Sequence, residues 1–261
     1  MQRTTRRVQF LGHADNELAG ILELPANEPQ GFLLFSHCFT CTKDLKAIVR
    51  ISRILADRGW GVLRYDLSGL GNSQGDFSQT NFTTNREDLR AASTFLAKEF
   101  EPVHFLVGHS FGGAASLSMA SELESVLGAV AIAAPSDTVH LATLLLKMAP
   151  EIESEGSGQV TIGGKTYTIL RQMLTDFRAQ EHPKKLQTLT KPVLVFHSPT
   201  DETLGFHHAI INCGLDAASA SGVARNRSLI SLPNCNHLLT TRDEDCVLVG
   251  EMIDVWCRRL R

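Results

Sequence analysis

The 261-residue sequence has no apolar stretch long enough to span a bilayer, and it has no internal repeat or low-complexity tract. It also lacks an excess of positive charge, because 25 basic and 28 acidic residues give a formal net charge of −3. Proteins that bind nucleic acid usually carry a basic patch, so this balance argues against such a partner. No apolar secretion segment follows the basic N-terminus, Met1–Arg7. We therefore expect a cytoplasmic protein with no membrane partner.

Cysteine is sparse as well. Six cysteines scattered along a chain of this length are typical of reduced thiols rather than of a disulfide framework. Cys38 and Cys41 form a Cys-x-x-Cys pair, but a metal site needs further ligands at matching spacing, and a redox site needs a helix N-terminus directly afterwards. Neither is evident. We interpret both residues, and Cys235, as small buried thiols, with redox or zinc use as the less favoured alternative.

What the sequence does contain is an alternation of short apolar runs and helical segments. Eight apolar runs predict strands, at residues 8–11, 18–24, 31–36, 60–65, 103–107, 126–134, 192–197 and 227–232. Helices are predicted among and after them, for example at 45–58, 85–100 and 243–260. The first two strands indicate an antiparallel hairpin, whereas most later ones are continuously apolar, as in strands covered on both faces. We therefore predict a single α/β domain over residues 1–261, with a mostly parallel eight-stranded sheet and helices on both faces.

The alternation breaks between the sixth and seventh strands, at about residues 138–189. This insertion is predicted to contain an apolar helix, an acidic loop, a hairpin and a further helix, at 141–148, 151–158, 160–162 with 167–170, and 172–180. We expect it to lie at the carboxyl edge of the sheet, where ligands bind in such folds. The insertion therefore predicts a small cap over a site, with a surface excursion that touches no substrate as the alternative.

The segment Gly108-His109-Ser110-Phe111-Gly112 joins a buried strand to a helix and has the spacing Gly-x-Ser-x-Gly. A serine in so tight a turn has a strained backbone, and glycine on each side removes Cβ atoms that would collide there. Its hydroxyl then stands at the carboxyl edge of the sheet, beside a helix N-terminus that favours developing negative charge. This pattern predicts that Ser110 is a nucleophile.

A nucleophilic serine needs a base, and the base needs a carboxylate that fixes its tautomer. In this architecture the chain order is serine, acid, histidine, with each residue at a strand end. Asp201 follows the seventh predicted strand and His237 follows the eighth, so we predict these two as acid and base. Glu202 is the main rival acid, and position alone hardly separates it from Asp201. We interpret His207 and His208 as surface residues.

The negative oxygen of a tetrahedral intermediate needs two backbone N–H donors, which together form an oxyanion hole. One is expected from Phe111, the residue after the serine. The other is expected from the loop after the third strand, His37-Cys38-Phe39. We assign this second donor to Phe39 and keep Cys38 as the nearest alternative.

A second glycine-rich stretch, Asp66–Ser73, follows the fourth predicted strand. A dinucleotide-binding fingerprint needs a third glycine at a fixed offset and a helix that opens at once. Gly75 comes one position late, and the next helical pattern begins well downstream. We therefore predict no nucleotide cofactor and interpret this stretch as one wall of the site.

Asp66 is a weak rival acid, because it precedes the serine. The proposed chemistry requires no metal or organic cofactor.

With this elbow and this order of Ser110, Asp201 and His237, the sequence resembles the α/β-hydrolase superfamily. It is also similar to a narrower group, the bacterial hydrolases often fused to a C-terminal OsmC-like domain. The loops that carry this second likeness are His37–Asp44, Gly69–Phe77, Ala134–Asp137 and His197–Glu202. The resemblance covers nearly the whole chain and implies esterase-type activity on small acyl esters.

The sequence departs from this group in that no OsmC-like domain follows Arg261, which leaves open a stand-alone relative or an excised domain. In addition, Cys38 stands where many α/β-hydrolases have glycine. The resulting prediction is a carboxylic ester hydrolase that forms an acyl-enzyme, and phenylalanine-rich walls favour short or medium acyl chains. Thioester, peptide and C–C bond cleavage are alternatives, because the same three residues serve them all. A binding module without catalysis is the alternative from another class.

Overall fold

The structure, a computed structural model, describes residues 2–215 and 226–261 and has an eight-stranded sheet at its centre. The strands in chain order are β1 (Thr4–Leu11), β2 (Glu17–Leu24), β3 (Phe32–Ser36), β4 (Gly61–Tyr65), β5 (Val103–His109), β6 (Gly128–Ile132), β7 (Ser157–Ile162), β8 (Lys165–Leu170), β9 (Val193–His197) and β10 (Arg227–Ser231). The sheet order is β1-β2-β4-β3-β5-β6-β9-β10, and β7 and β8 form a separate hairpin. The pairs β1–β2 and β2–β4 are antiparallel, and the others in the large sheet are parallel. This confirms the predicted fold class.

Helices cover both faces of this sheet. The helices α1 (Lys46–Asp57) and α9 (Asp243–Leu260) pack on one face. The helices α2 (Phe82–Glu99), α3 (Phe111–Met119) and α8 (His207–Asn212) contribute to the core on the other. Every residue of β3, β4, β6 and β9 is buried. Because both faces of these strands are covered, their sequences are almost continuously apolar rather than alternating.

Helix α2 begins at Phe82, three residues earlier than predicted, because Asn81 caps it. The Asn81 side chain accepts a hydrogen bond from the N–H of Thr84 at 3.0 Å. The Thr84 hydroxyl in turn accepts one from the N–H of Asn81 at 2.9 Å. This capping box uses threonine at the position where glutamate or glutamine is usual, so the sequence pattern did not reveal it.

The carboxyl ends of the central strands lie level with one another. The register pairs that show this are Ser36 with Gly108, His109 with Ile132, Ile132 with Phe196, and His197 with Ser231. The loops that follow β3, β5, β9 and β10 therefore meet at one edge of the sheet, as they do in other α/β folds with a ligand site.

Residues 138–189, here called the inserted segment, lie between β6 and β9. They contain α4 (Val139–Met148), α5 (Glu151–Glu155), the β7–β8 hairpin, α6 (Arg171–Ala179) and α7 (His182–Thr188). The prediction of an acidic loop at 151–158 is wrong, since α5 and the start of β7 lie there. Helix α7 was not predicted, because seven residues are too few for a stable isolated helix. It depends instead on burying His182 and Leu186.

Candidate active site

Ser110 lies at the turn between β5 and α3. Its φ of 53° and ψ of −121° are unusual for a residue with a side chain. The turn is held by the N–H of Ser110, which donates to the carbonyl of Ile132 at 2.8 Å. A Cβ atom at Gly108 would overlap the carbonyl of Gly112, and one at Gly112 would overlap the carbonyl of Ser36. The glycine spacing seen in the sequence thus has a steric cause.

The structure brings the side chains of Ser110, His237 and Asp201 together in one chain of hydrogen bonds. The Nε2 atom of His237 lies 3.0 Å from the Oγ atom of Ser110. The Nδ1 atom of the same ring lies 2.8 Å from the Oδ2 atom of Asp201. The other carboxylate oxygen of Asp201 accepts the N–H groups of Thr203 and Leu204, both at 2.8 Å. The carboxylate is therefore fixed behind the ring, on the side away from the serine.

The Asp201 carboxylate is 1% exposed. Burial alone would raise its pKa, but hydrogen bonds and the charge of His237 act against this, and the net effect is a pKa below the ordinary value. The backbone N–H groups of Leu204 and Thr203 lower it further. Asp201 is thus ionised at neutral pH. An ionised carboxylate on Nδ1 keeps the proton on that nitrogen, so Nε2 is free to accept a proton from the serine.

The structure places the two rival acids elsewhere. Glu202 is exposed, and its carboxylate accepts the backbone N–H of His237 at 3.3 Å rather than contacting the ring. Asp66 is fully buried and accepts both the Nζ and the N–H of Lys43 at 2.7 Å. It also accepts the N–H of Asn72 at 2.9 Å. Asp66 therefore ties the glycine-rich loop to the loop after β3.

Of the two predicted oxyanion donors, Phe111 directly follows Ser110 at the first position of α3, and Phe39 lies in the loop after β3 with its ring centroid 5.5 Å from that of Phe111. Within residues 2–215 and 226–261, neither N–H has a hydrogen-bond partner, and the same is true of Cys38. Free N–H groups are what an oxyanion hole requires. They leave the choice between Cys38 and Phe39 open.

His37 holds this loop in place, a role that the sequence analysis missed. Its ring donates from Nδ1 to the carbonyl of Cys38 at 2.7 Å and accepts at Nε2 the N–H of Leu67 at 3.1 Å. Burial lowers the pKa of His37, so the neutral ring that this arrangement needs is the favoured form. A histidine directly before the proposed oxyanion residues was the available signal.

Cys38 and Cys41 form a disulfide, so the prediction of reduced thiols is wrong for this pair. The N–H of Cys41 donates to the carbonyl of Cys38 at 3.2 Å, and this turn brings their Cα atoms to 5.2 Å, within the usual disulfide range. Neither a long-range disulfide framework nor a set of metal ligands is needed for this bond, because a local turn brings the two cysteines together. The other four cysteines are free and buried, as predicted for Cys235.

Further buried histidines surround the site. The Nε2–H of His109 donates to the carbonyl of His237 at 2.8 Å, and burial lowers the pKa of His109 to about 3, so this ring is neutral. The Nε2–H of His197 donates to the carbonyl of Leu204 at 2.8 Å, behind Asp201. The prediction of a surface location is wrong for His208, which is 3% exposed, because its Nδ1 bonds to the Ser136 hydroxyl at 2.9 Å.

One wall of the site is aromatic. Five rings, here called the aromatic cluster, connect the loop after β3, the short 3-10 helix Phe77–Gln79, α3 and the inserted segment, and they are Phe39, Phe77, Phe111, Tyr167 and Phe177. Neighbouring rings lie 5.0–5.9 Å apart between centroids. The Tyr167 hydroxyl also donates to the carbonyl of Thr40 at 3.2 Å. The inserted segment is thus packed directly against the loop that is proposed to supply an oxyanion donor.

Over the described ranges, no helix combines the length and the apolar character needed to cross a membrane. In the same ranges, no group of three or more His, Cys, Asp or Glu side chains is arranged to hold a metal ion.

Comparisons with known proteins give both sequence and structural relatives. Residues 27–157 match the model of the family described as serine aminopeptidase, S33. The chain is 26% identical over 184 residues to palmitoyl-protein thioesterase ABHD10, mitochondrial, of Rattus norvegicus. This match covers 68% of the chain and 61% of the relative, so the chain spans less than two thirds of that protein's length.

Two solved structures extend the likeness over nearly the whole chain. The esterase domain of a Rhodothermus marinus protein is 37% identical, with 99% of each chain covered and a TM-score of 0.76. Est1E from Butyrivibrio proteoclasticus has a TM-score of 0.77 over 97% of this chain and 98% of its own. At 19% identity, this second likeness shows the fold alone.

Proposed function

The chain belongs to the family described as serine aminopeptidase, S33, and is a hydrolase of the α/β-hydrolase superfamily, and from this premise we propose that it hydrolyses carboxylic esters through an acyl-enzyme on Ser110. The observation that carries the proposal is the hydrogen-bonded chain from Ser110 through His237 to Asp201. The 37% identical esterase domain supports an ester as the substrate.

The proposed reaction begins when the Ser110 oxygen attacks the ester carbonyl carbon while Nε2 of His237 takes the hydroxyl proton. The N–H groups of Phe39 and Phe111 stabilise the resulting oxyanion. His237 then passes the proton to the leaving alcohol, and the acyl group stays on Ser110. Water attacks this acyl-enzyme, gives a proton to His237, and releases the acid as Ser110 regains its proton. Asp201 stabilises the imidazolium in both halves of the reaction.

Hydrolysis of p-nitrophenyl esters of increasing acyl length, by the wild type and Ser110→Ala, tests this proposal. We expect wild-type turnover, best on short or medium chains, and a loss of at least ~1000-fold in kcat for Ser110→Ala. Ser116→Ala is the matched control, because Ser116 is a fully buried serine within α3 and its hydroxyl has no hydrogen-bond partner among the described residues. A folded wild type that hydrolyses no ester would contradict the proposal, as would a Ser110→Ala protein that retains activity.

Thioester hydrolysis is the second candidate, because the curated relative is a palmitoyl-protein thioesterase. The kcat/KM values for a p-nitrophenyl butyrate and a butyryl thioester would separate the two. A ratio in favour of the thioester would replace the ester assignment and leave the roles of the three residues unchanged. The family's description names a peptidase activity, and hydrolysis of an aminoacyl p-nitroanilide tests it in the same way.

We further propose that the inserted segment is a cap over the site, because Phe177 and Tyr167 contact the loops that surround Ser110.

The substrate class remains a small-molecule ester, without a nucleic-acid or membrane partner, and the cytoplasmic location stays a prediction. The likeness to bacterial hydrolases fused to an OsmC-like domain also stays a prediction.

A further inference from the structure

Phe177, on α6 of the inserted segment, contacts both residues to which the proposed function assigns the oxyanion donors. Its side chain is fully buried, at 0% exposure. Its ring centroid lies 5.9 Å from that of Phe39 and 5.3 Å from that of Phe111, with interplanar angles of 71° and 62°. The rings of Phe39 and Phe111 are themselves 5.5 Å apart. The three rings thus form a closed triangle around the start of α3.

The backbone of α6 is anchored at its two ends. At the C-terminal end, the Thr138 hydroxyl donates to the carbonyl of Phe177 at 2.6 Å. Near the N-terminal end, the Gln172 amide donates to the carbonyls of Ser78 and Thr80, each at 3.0 Å. The position of Phe177 is therefore set by hydrogen bonds and not only by the packing of its ring.

The two partners of Phe177 differ in how firmly their own backbones are held. Phe111 begins a helix, whereas Phe39 lies in a loop that His37 and a disulfide fix nearby, and its own N–H has no partner within the described part of the chain. A displacement of about 1 Å at a catalytic group can lower a rate by about 100-fold. The contacts of the Phe39 side chain add to these anchors, so they also bear on the separation between the two N–H groups.

We propose that Phe177 is a positioning residue, whose ring fixes the Phe39 and Phe111 side chains and thereby the spacing of the two oxyanion donors. This inference rests on the proposed function. It assigns the inserted segment a part in transition-state stabilisation, although the segment adds no group that reacts with substrate. Ring contacts of this kind are specific in distance and angle, so an aliphatic side chain of similar volume does not replace them.

Phe177→Leu is the test variant, and Phe105→Leu is its matched control. Phe105 is likewise 0% exposed and also contacts two rings, Trp60 at 5.7 Å and Trp256 at 5.9 Å, but it packs on the opposite face of the sheet. For each variant we would measure Tm, kcat and KM on p-nitrophenyl butyrate, and inhibition by butylboronic acid, whose tetrahedral serine adduct uses the oxyanion donors.

We expect Phe177→Leu to lower kcat about tenfold, less than the loss of a whole donor, and to weaken boronic acid inhibition by a similar factor. The KM should change less than about twofold, because the donors act mainly in the transition state. Phe105→Leu should lower Tm to a similar degree and keep wild-type kcat. A Phe177→Leu protein with lowered Tm but wild-type kcat and boronic acid affinity would overturn the positioning role.

Thr138→Val keeps the test decisive if Phe177→Leu does not fold. It removes only the hydroxyl that holds the Phe177 carbonyl, and we expect a smaller fall in kcat, roughly threefold, with KM unchanged. An unchanged kcat would overturn the positioning role. Assays of the wild type and of Ser110→Ala distinguish a failure of the positioning role from a failure of the proposed function. Wild-type activity that depends on Ser110 leaves the ester assignment standing, whereas an inactive wild type overturns both proposals.

Discussion

Asp201 and Glu202 are consecutive carboxylates that contact different atoms of one histidine. The turn after β9 directs Asp201 inward, where its Oδ2 meets Nδ1 of the His237 ring. Glu202 remains exposed, and its carboxylate accepts the backbone N–H of His237. Position in the sequence could not separate the two, because the difference is in side-chain direction. Burial separates them, since only a buried carboxylate fixed by N–H donors can hold the ring in one orientation.

Asp201→Asn and Glu202→Gln therefore form a matched pair of isosteric variants. We expect Asp201→Asn to lower kcat on p-nitrophenyl butyrate by about 10⁴-fold, because an amide no longer stabilises the imidazolium or its productive tautomer. Glu202→Gln should keep kcat within about threefold, because it alters only a weak contact to the backbone. Equal losses in the two variants, or a larger loss at Glu202, would contradict the assignment of Asp201.

At the scale of elements, the loop after β3 is held by a histidine, a lysine and a disulfide. Its histidine, His37, bonds both within the loop and to the glycine-rich loop. Its lysine, Lys43, forms a buried ion pair with Asp66 at 2.7 Å. The disulfide between Cys38 and Cys41 closes a turn between these two anchors. A loop without regular secondary structure is thus fixed at several points, as an oxyanion loop has to be.

A count of free thiols before and after reduction tests the disulfide directly. We expect iodoacetamide, applied to denatured protein that was purified without reductant, to modify the four free cysteines only. After reduction, all six should be modified. Peptide mass mapping should locate the two additional sites at Cys38 and Cys41, because their Cα atoms are 5.2 Å apart. Six modified cysteines before reduction would show that the pair is reduced.

At the scale of the whole molecule, several buried histidines make the fold sensitive to acid. Burial lowers the pKa of His109 to about 3, and it lowers those of His182 and His208 to about 4. Each such ring is neutral in the folded protein, but in the unfolded chain it takes up a proton below about pH 6.5. Between these two values the unfolded state binds more protons, so the free energy of unfolding falls as the pH falls.

His182 tests this linkage, because it is 1% exposed and its ring packs against Phe82 at 5.9 Å between centroids. Between about pH 6.5 and pH 4, we expect the free energy of unfolding to fall less steeply in His182→Gln than in the wild type. The slope should decrease by the equivalent of up to one proton, or about 1.4 kcal/mol per pH unit. Urea denaturation at several pH values in this window measures the slope. A variant with the wild-type slope would show that His182 does not contribute.

The parts of the molecule that were predictable are those with local causes. Apolar runs predicted the sheet, and strand ends together with the glycine spacing predicted that Ser110, Asp201 and His237 would lie close together. The missed features depend on partners far away in the chain. His208 is buried because its ring forms a hydrogen bond with the Ser136 hydroxyl. Helix α7 forms because its buried side packs on the core. Neither partner is visible within a short window of sequence.

Ser110 and His237 are 127 residues apart in the chain, and β9 and β10 lie between them. During synthesis, the ribosome therefore releases the serine long before the histidine that would activate it. A nascent, truncated or unfolded copy carries an ordinary alcohol at Ser110, with no more reactivity than any other serine. On the proposed mechanism, Ser110 becomes reactive only after β10 has joined the sheet and His237 has reached it. Unfinished copies therefore cannot acylate themselves or attack esters around them.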